Sequence, residues 1–235
     1  LLASANVGAA GAGALDVDVD TLAAVATNGN IYISEADGLN LTTVADFNVT
    51  RIGLDSSATP TAVGALSNVL AANNLKIETV ANGLTVTDTV TATGGDLLLD
   101  AAGALAIDNA VTATAGNASL IAGGAITQAA AGDVTVGGNL DVEAGGAITM
   151  NADASSTSTG NGNIRYLSTV GDITLGLLNA GTGNVRVQAL DGSIVDGRAA
   201  LNNVTAANLQ LLASANVGAA GAGALDVDVD TLAAV

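Results

Sequence analysis

Titratable side chains are sparse in this sequence, and their spacing limits the chemistry they can do. In the segment LDVDVD, Asp16, Asp18 and Asp20 alternate with Leu15, Val17 and Val19. In an extended strand the three carboxylates share one face at intervals of about 6.8 Å. The row is a weak candidate for Ca²⁺, because strand-spaced carboxylates do not converge on an ion as a calcium loop's do. A solvated acidic face is the plainer reading, and neither an EF-hand pattern nor a GGxGxD nonapeptide occurs. The basic residues are Arg51, Lys76, Arg165, Arg186 and Arg198. Aligned on the short repeat described below, Asp141, Arg165 and Arg186 fall in one outward column, with Glu143 nearby. Carboxylates beside a base are what a polysaccharide-cleaving site needs. An exposed ion-pair ladder, worth about 0.2–1 kcal/mol per pair, explains them without a cleft. With no Cys and no His, disulfides, thiolate or imidazole metal sites and imidazole-dependent triads are excluded. The threonines at 85, 87, 89, 91 and 93 do not recur at one place in each repeat, as a flat ice-binding face would require. The expectation is a non-enzyme without a cofactor, with a polysaccharide-acting enzyme as a minor alternative.

Composition points to what would position these groups. Hydrophobic residues make up 49% of the chain, yet Tyr32, Phe47 and Tyr166 are its aromatic residues and Gly fills 30 positions. A core built from Ala, Val, Leu and Ile is narrow and uniform in cross-section. Twenty-two acidic against 5 basic residues give a net charge of −17, which repels phosphate backbones and disfavours nucleic-acid partners. The uncharged stretches 109–132 and 199–225 are studded with Asn, Thr and Gly, and their apolar residues alternate, so no membrane span is expected.

Two repeats are nested in the chain. Leu1–Val25 and Leu211–Val235 are identical, which implies a tandem array with a period of 210 residues (211 − 1). Residues 1–210 are one complete unit, and 211–235 begin the next, so adjacent identical repeats are the first partners expected. Within the unit a shorter motif starts at Asn30, Asn74, Asp96, Asn117, Asn139, Asn163, Asn184 and Asn208. Apolar residues follow at the first and third places, and a second apolar strand begins eight or nine residues on. Starts lie 21–24 residues apart, except for 44 between Asn30 and Asn74. Short period-two runs punctuated by Gly and Asn imply strands, and repeats too small to bury their own face imply stacked coils. The fold class expected is all-β: a right-handed parallel β-helix of about 8–9 coils of 21–24 residues per unit. The eight start residues fit an internal ladder of side-chain amides, each bonding to the next coil; simple turn formers are the alternative.

The phrases GNLDVEAGGAITM (138–150), GDLLLDAAGALAI (95–107) and GNASLIAGGAITQ (116–128) carry a family resemblance. They resemble the haemagglutination-activity repeats of filamentous-haemagglutinin-type bacterial surface proteins over most of Ala72–Gly218, and more weakly over Asn28–Thr50. The resemblance implies an extracellular or cell-surface fibre serving as a stalk or adhesin.

Two segments break the pattern. An insert near 53–73 includes TPTAVGALSNVLAANN, which reads as a short helix with Thr59 as N-cap, Pro60 at the first position, and Val63, Leu66 and Leu70 on one face. Those three are candidates for lateral contact between fibres, which would suit a self-assembling filament or surface layer. The second break, GAAGAGALDVDVD, lengthens one coil by about ten residues.

Overall fold

The structure is a computed structural model describing all 235 residues, Leu1–Val235. It is a parallel β-solenoid of about 11 turns, with almost no helix, where 8–9 coils per unit were expected. At about 4.8 Å per turn the stack is roughly 50 Å long. No helix is long and apolar enough to cross a membrane.

One coil shows how sequence becomes structure. Leu97–Ala101 lies on a first face, Leu105–Ile107 on a second and Val111–Ala113 on a third, before Ala118–Ala122 resumes the first face one level on. Each strand alternates buried and half-buried residues, which sends the apolar set inward. The register is parallel and without offset: Leu99 stands beside Ile77 on one side and Leu120 on the other. Like residues therefore stack over like, and each interior strand satisfies its backbone groups on both sides. The third strand escapes the sequence pattern, although the recurring VTA at 90–92 and 111–113 is its signature.

The core is a single column of aliphatic stacks. Leu39, Leu84, Leu105, Ile126, Ile148, Ile173 and Ile194 line the second face. Ala71, Ala92 and Ala113 keep the third face thin. One level departs from this. Tyr166, fully buried on the first face, extends toward Ser156, which stands in the register place of Val134. The small Ser makes room for the ring, and the two hydroxyls meet at 2.7 Å. Burial pushes the Tyr166 phenol well above its ordinary pKa, against the opposing hydrogen bond from Ser156.

The expected helical insert is a β-hairpin. Phe47–Ile52 pairs antiparallel with Ala58–Val63, and a Val44–Leu66 bridge closes its base. It leaves the solenoid after the second-face strand Leu39–Leu41 and returns at the third-face strand Val69–Ala71, so it interrupts one coil and adds none. The helical signal fails because β-branched Val49, Thr50, Ile52, Thr59, Thr61 and Val63 favour extended backbone in both segments, which pair with each other. Pro60, opposite Thr50, sits in a two-stranded ribbon where both strands are edges and a missing donor costs little. Val63, Leu66 and Leu70 do not share one face: Val63 ends a hairpin strand, Leu66 sits in its base, and Leu70 points outward from the third face.

Candidate functional site

The eight start residues stand in one column along the edge that leads into the first face. The Asn30 side-chain oxygen accepts from the Asn74 backbone N–H at 3.0 Å and the Asn74 amide at 3.1 Å. Asn74 accepts from the Asp96 N–H, and Asp96 from the Asn117 N–H and amide. Asn117 accepts from Asn139, Asn139 from Asn163, Asn163 from Asn184, and Asn184 from the Asn208 amide. At Asp96 the side chain accepts but donates nothing, so Asn74 receives only a backbone bond there. The column lies at the half-exposed to exposed rim and not inside the core, because the interior is filled by the aliphatic stacks. The sequence pattern missed Asn6, which heads the column by accepting from the Asn30 N–H and amide. Its motif is cut after Val7 by the loop Gly8–Ala14, which hides the apolar pair that marks the other starts.

Glycine before the column is a packing requirement. A Cβ at Gly116 would lie 2.1 Å from the Gly95 carbonyl oxygen, and one at Gly162 would lie 2.1 Å from that of Gly138. Such approaches exclude any side chain unless the backbone moves.

On the outward side of the first face, Asp141, Arg165 and Arg186 are register partners. Arg165 bonds Asp141 at 2.6 Å and Glu143 at 3.1 Å. Burial opposes the Arg165 charge, and the hydrogen bonds and charges of Asp141 and Glu143 more than reverse this, so its pKa is raised. Arg186 forms no ion pair. A shallow groove of about 870 Å³ runs along this face from Tyr32 and Lys76 to Asp141 and Arg165. Its floor carries Leu98 and Ser119; of the charged groups that line it, Asp141 bonds Arg165, Lys76 pairs with Glu78, and Asp96 accepts from Asn117.

Asp16, Asp18 and Asp20 are all exposed and do not converge. Asp18 instead approaches Glu35 and Asp37, with donor oxygens within 4.8 Å of one another. Glu35 is fully buried, and it accepts from the Val19 N–H at 3.2 Å and the Ala36 N–H at 3.1 Å. Three carboxylates, one already committed to backbone amides, supply fewer oxygens than the six to eight that Ca²⁺ takes. The Glu35 contacts escape the sequence because they pair one coil's inward Glu with the preceding coil's turn.

No protein-family model, curated protein or solved structure matches this chain. What it is must therefore be argued from its own geometry. The remaining surface feature is the hairpin. Phe47 and Ile52 are 52% and 65% exposed, and an apolar cleft of about 660 Å³ lies between the hairpin base and the first coil. Val44, Phe47, Val63 and Leu66 line it on one side, and Val17, Val19 and Leu22 on the other.

Proposed function

We propose that this chain is a structural segment of a long extracellular fibre or adhesin stalk, without catalytic role. The observation that carries the reading is the continuous stacking of coils that share one pattern, together with a 25-residue repeat in identical sequence. A solenoid transmits length in proportion to copy number, and each coil covers its neighbour's edges. The likeness of the GNLxVxAGGxIxx phrases to filamentous-haemagglutinin-type repeats supports a bacterial cell-surface setting. The acidic surface supports a fibre that stays dispersed.

A second reading, a filament or surface layer whose solenoids pack laterally, is favoured by one observation: the hairpin exposes Phe47, Val49, Ile52 and Leu54 on a projection held by little but its own pairing. Cryo-electron microscopy of the native material separates the two. Thin rods one chain wide, with density continuing past the last coil, support the stalk. Rods joined side by side through the hairpins support the layer. Compact discrete particles contradict both.

A further inference from the structure

Three Asn-Gly steps occur in the chain: Asn28-Gly29, Asn82-Gly83 and Asn161-Gly162. At such a step the chain can attack its own side-chain amide, because glycine has no Cβ to keep its nitrogen away from the preceding side chain. All three asparagines are exposed. Asn82 and Asn161 also share a left-handed backbone, with φ of 58° and 60°. Exposure and backbone therefore do not rank the sites. Hydrogen bonding does.

At Asn161 both reacting groups are held. Its side-chain oxygen accepts from the Thr182 N–H at 3.1 Å, and the Gly162 N–H, the nitrogen that would attack, donates to the Ser158 hydroxyl at 2.7 Å. That hydroxyl is fixed in turn, since Ser158 is buried and donates to the Gly138 oxygen at 2.7 Å. At Asn28 the amide is held, donating to the Ser4 oxygen at 3.2 Å and the Thr27 hydroxyl at 3.4 Å. At Asn82 neither group is held. The Asn82 side chain and the Gly83 N–H bond to no other group in the chain, while the Asn82 main-chain carbonyl accepts from the Gly103 N–H and the Thr79 hydroxyl.

We propose that Asn82-Gly83 is a self-modification site, at which the folded chain converts asparagine to aspartate and isoaspartate through a cyclic imide, ahead of the other two steps. Hydroxide takes the Gly83 N–H proton, the nitrogen bonds to the Asn82 Cγ, and the Cγ–Nδ2 bond breaks with loss of ammonia. Water then opens the imide. Opening at Cγ leaves aspartate, and opening at the main-chain carbonyl leaves isoaspartate, whose main chain is one carbon longer. Both products add a negative charge. Isoaspartate also turns the carbonyl that received the Gly103 N–H into a branch carboxylate. The turns stack here without slack: a Cβ at Gly103 would lie 2.5 Å from the Asn82 carbonyl, and one at Gly38 would lie 3.3 Å from the Asn82 Cβ. The added atom thus bears on the coils on either side. This inference is independent of the fibre reading.

The test is ageing of the full 235-residue chain at mildly alkaline pH, followed by peptic digestion and mass spectrometry, with isoaspartate identified by electron-transfer fragmentation. Position 82 is expected to convert at least about ten times faster than position 161, a ratio equivalent to about 1.4 kcal/mol and of the size one or two hydrogen bonds supply. Position 28 should fall between them. In guanidinium chloride, where no fold holds any of the three, the rates should converge. Equal rates in the folded chain, a faster rate at 28 or 161, or an intact Asn82 where the unfolded chain converts would overturn the proposal. So would an order in guanidinium chloride that matches the folded one, because sequence alone would then set it.

Discussion

The hairpin and the coils are built from the same kind of sequence and differ in what surrounds them. NVRVQA at 184–189 and FNVTRI at 47–52 are both six-residue strands that mix apolar and polar residues. In the first, Val185, Val187 and Ala189 are buried, because a coil lies on either side and two further faces close the interior. In the second every residue is exposed, and one partner strand is all it has. Strand-forming residues thus suffice to make a strand, and stacking is what makes it stable. A lone two-stranded ribbon is marginal in water, so the hairpin depends on its anchor at Val44 and Leu66, whereas each coil is held by its neighbours.

Core truncation should separate the two regions most widely. Leu120→Ala in the middle of the stack is expected to cost about 2–5 kcal/mol, and Ile52→Ala in the hairpin no more than about 0.5 kcal/mol, both by denaturant titration. Equal costs would mean that the hairpin is packed against something, and would break the comparison. The next contrast is between glycines. Gly116→Ala must push a methyl into the Gly95 carbonyl and is expected to cost about 1–3 kcal/mol. Gly64→Ala, with nothing within 4 Å of the new carbon, should be neutral or gain up to about 1 kcal/mol.

The amide column gives a finer test. Asn117→Ala removes the acceptor for the Asn139 N–H and amide and is expected to cost about 0.5–1.5 kcal/mol in melting experiments. Asn117→Asp keeps the acceptor for Asn139 but loses the amide that donates to Asp96 and sets two carboxylates side by side, so it should recover little of that stability at neutral pH. The smallest effect is electrostatic. Burial and the stacked Glu78 raise the Asp100 pKa above its ordinary 3.8. Between 3.8 and its raised value the folded chain binds more protons than the unfolded one, so stability falls as pH rises across that window. Asp100→Asn should flatten this part of the pH profile and stabilise the chain at neutral pH by well under 1 kcal/mol, since Asp100 is partly solvated.

Much of this architecture is legible in the sequence, because stacking repeats a local pattern many times. The first- and second-face strands, and the eight column residues from Asn30 to Asn208, follow from Asn–apolar–x–apolar spacing alone. The third face is harder to see, since Ala71, Ala92 and Ala113 are too small to stand out as apolar periodicity. The hairpin was obscured by an accidental match: Thr59-Pro60 imitates a helix start, and Val63, Leu66 and Leu70 imitate a helical stripe. What decides against the helix is antiparallel pairing with Phe47–Ile52, a partner that no local window contains. The Asp18, Glu35 and Asp37 grouping is invisible for a related reason, because it depends on which turn of one coil lies over the next.

Amide hydrogen exchange read by mass spectrometry on the full chain tests the central contrast most directly. The account predicts that amides in the strands between Leu75 and Ala189 are protected to the level of global or coil-by-coil unfolding, while those of 47–63 exchange orders of magnitude faster. Uniform protection across both regions, or rapid exchange throughout the coils, would contradict a stacked solenoid bearing a self-contained hairpin.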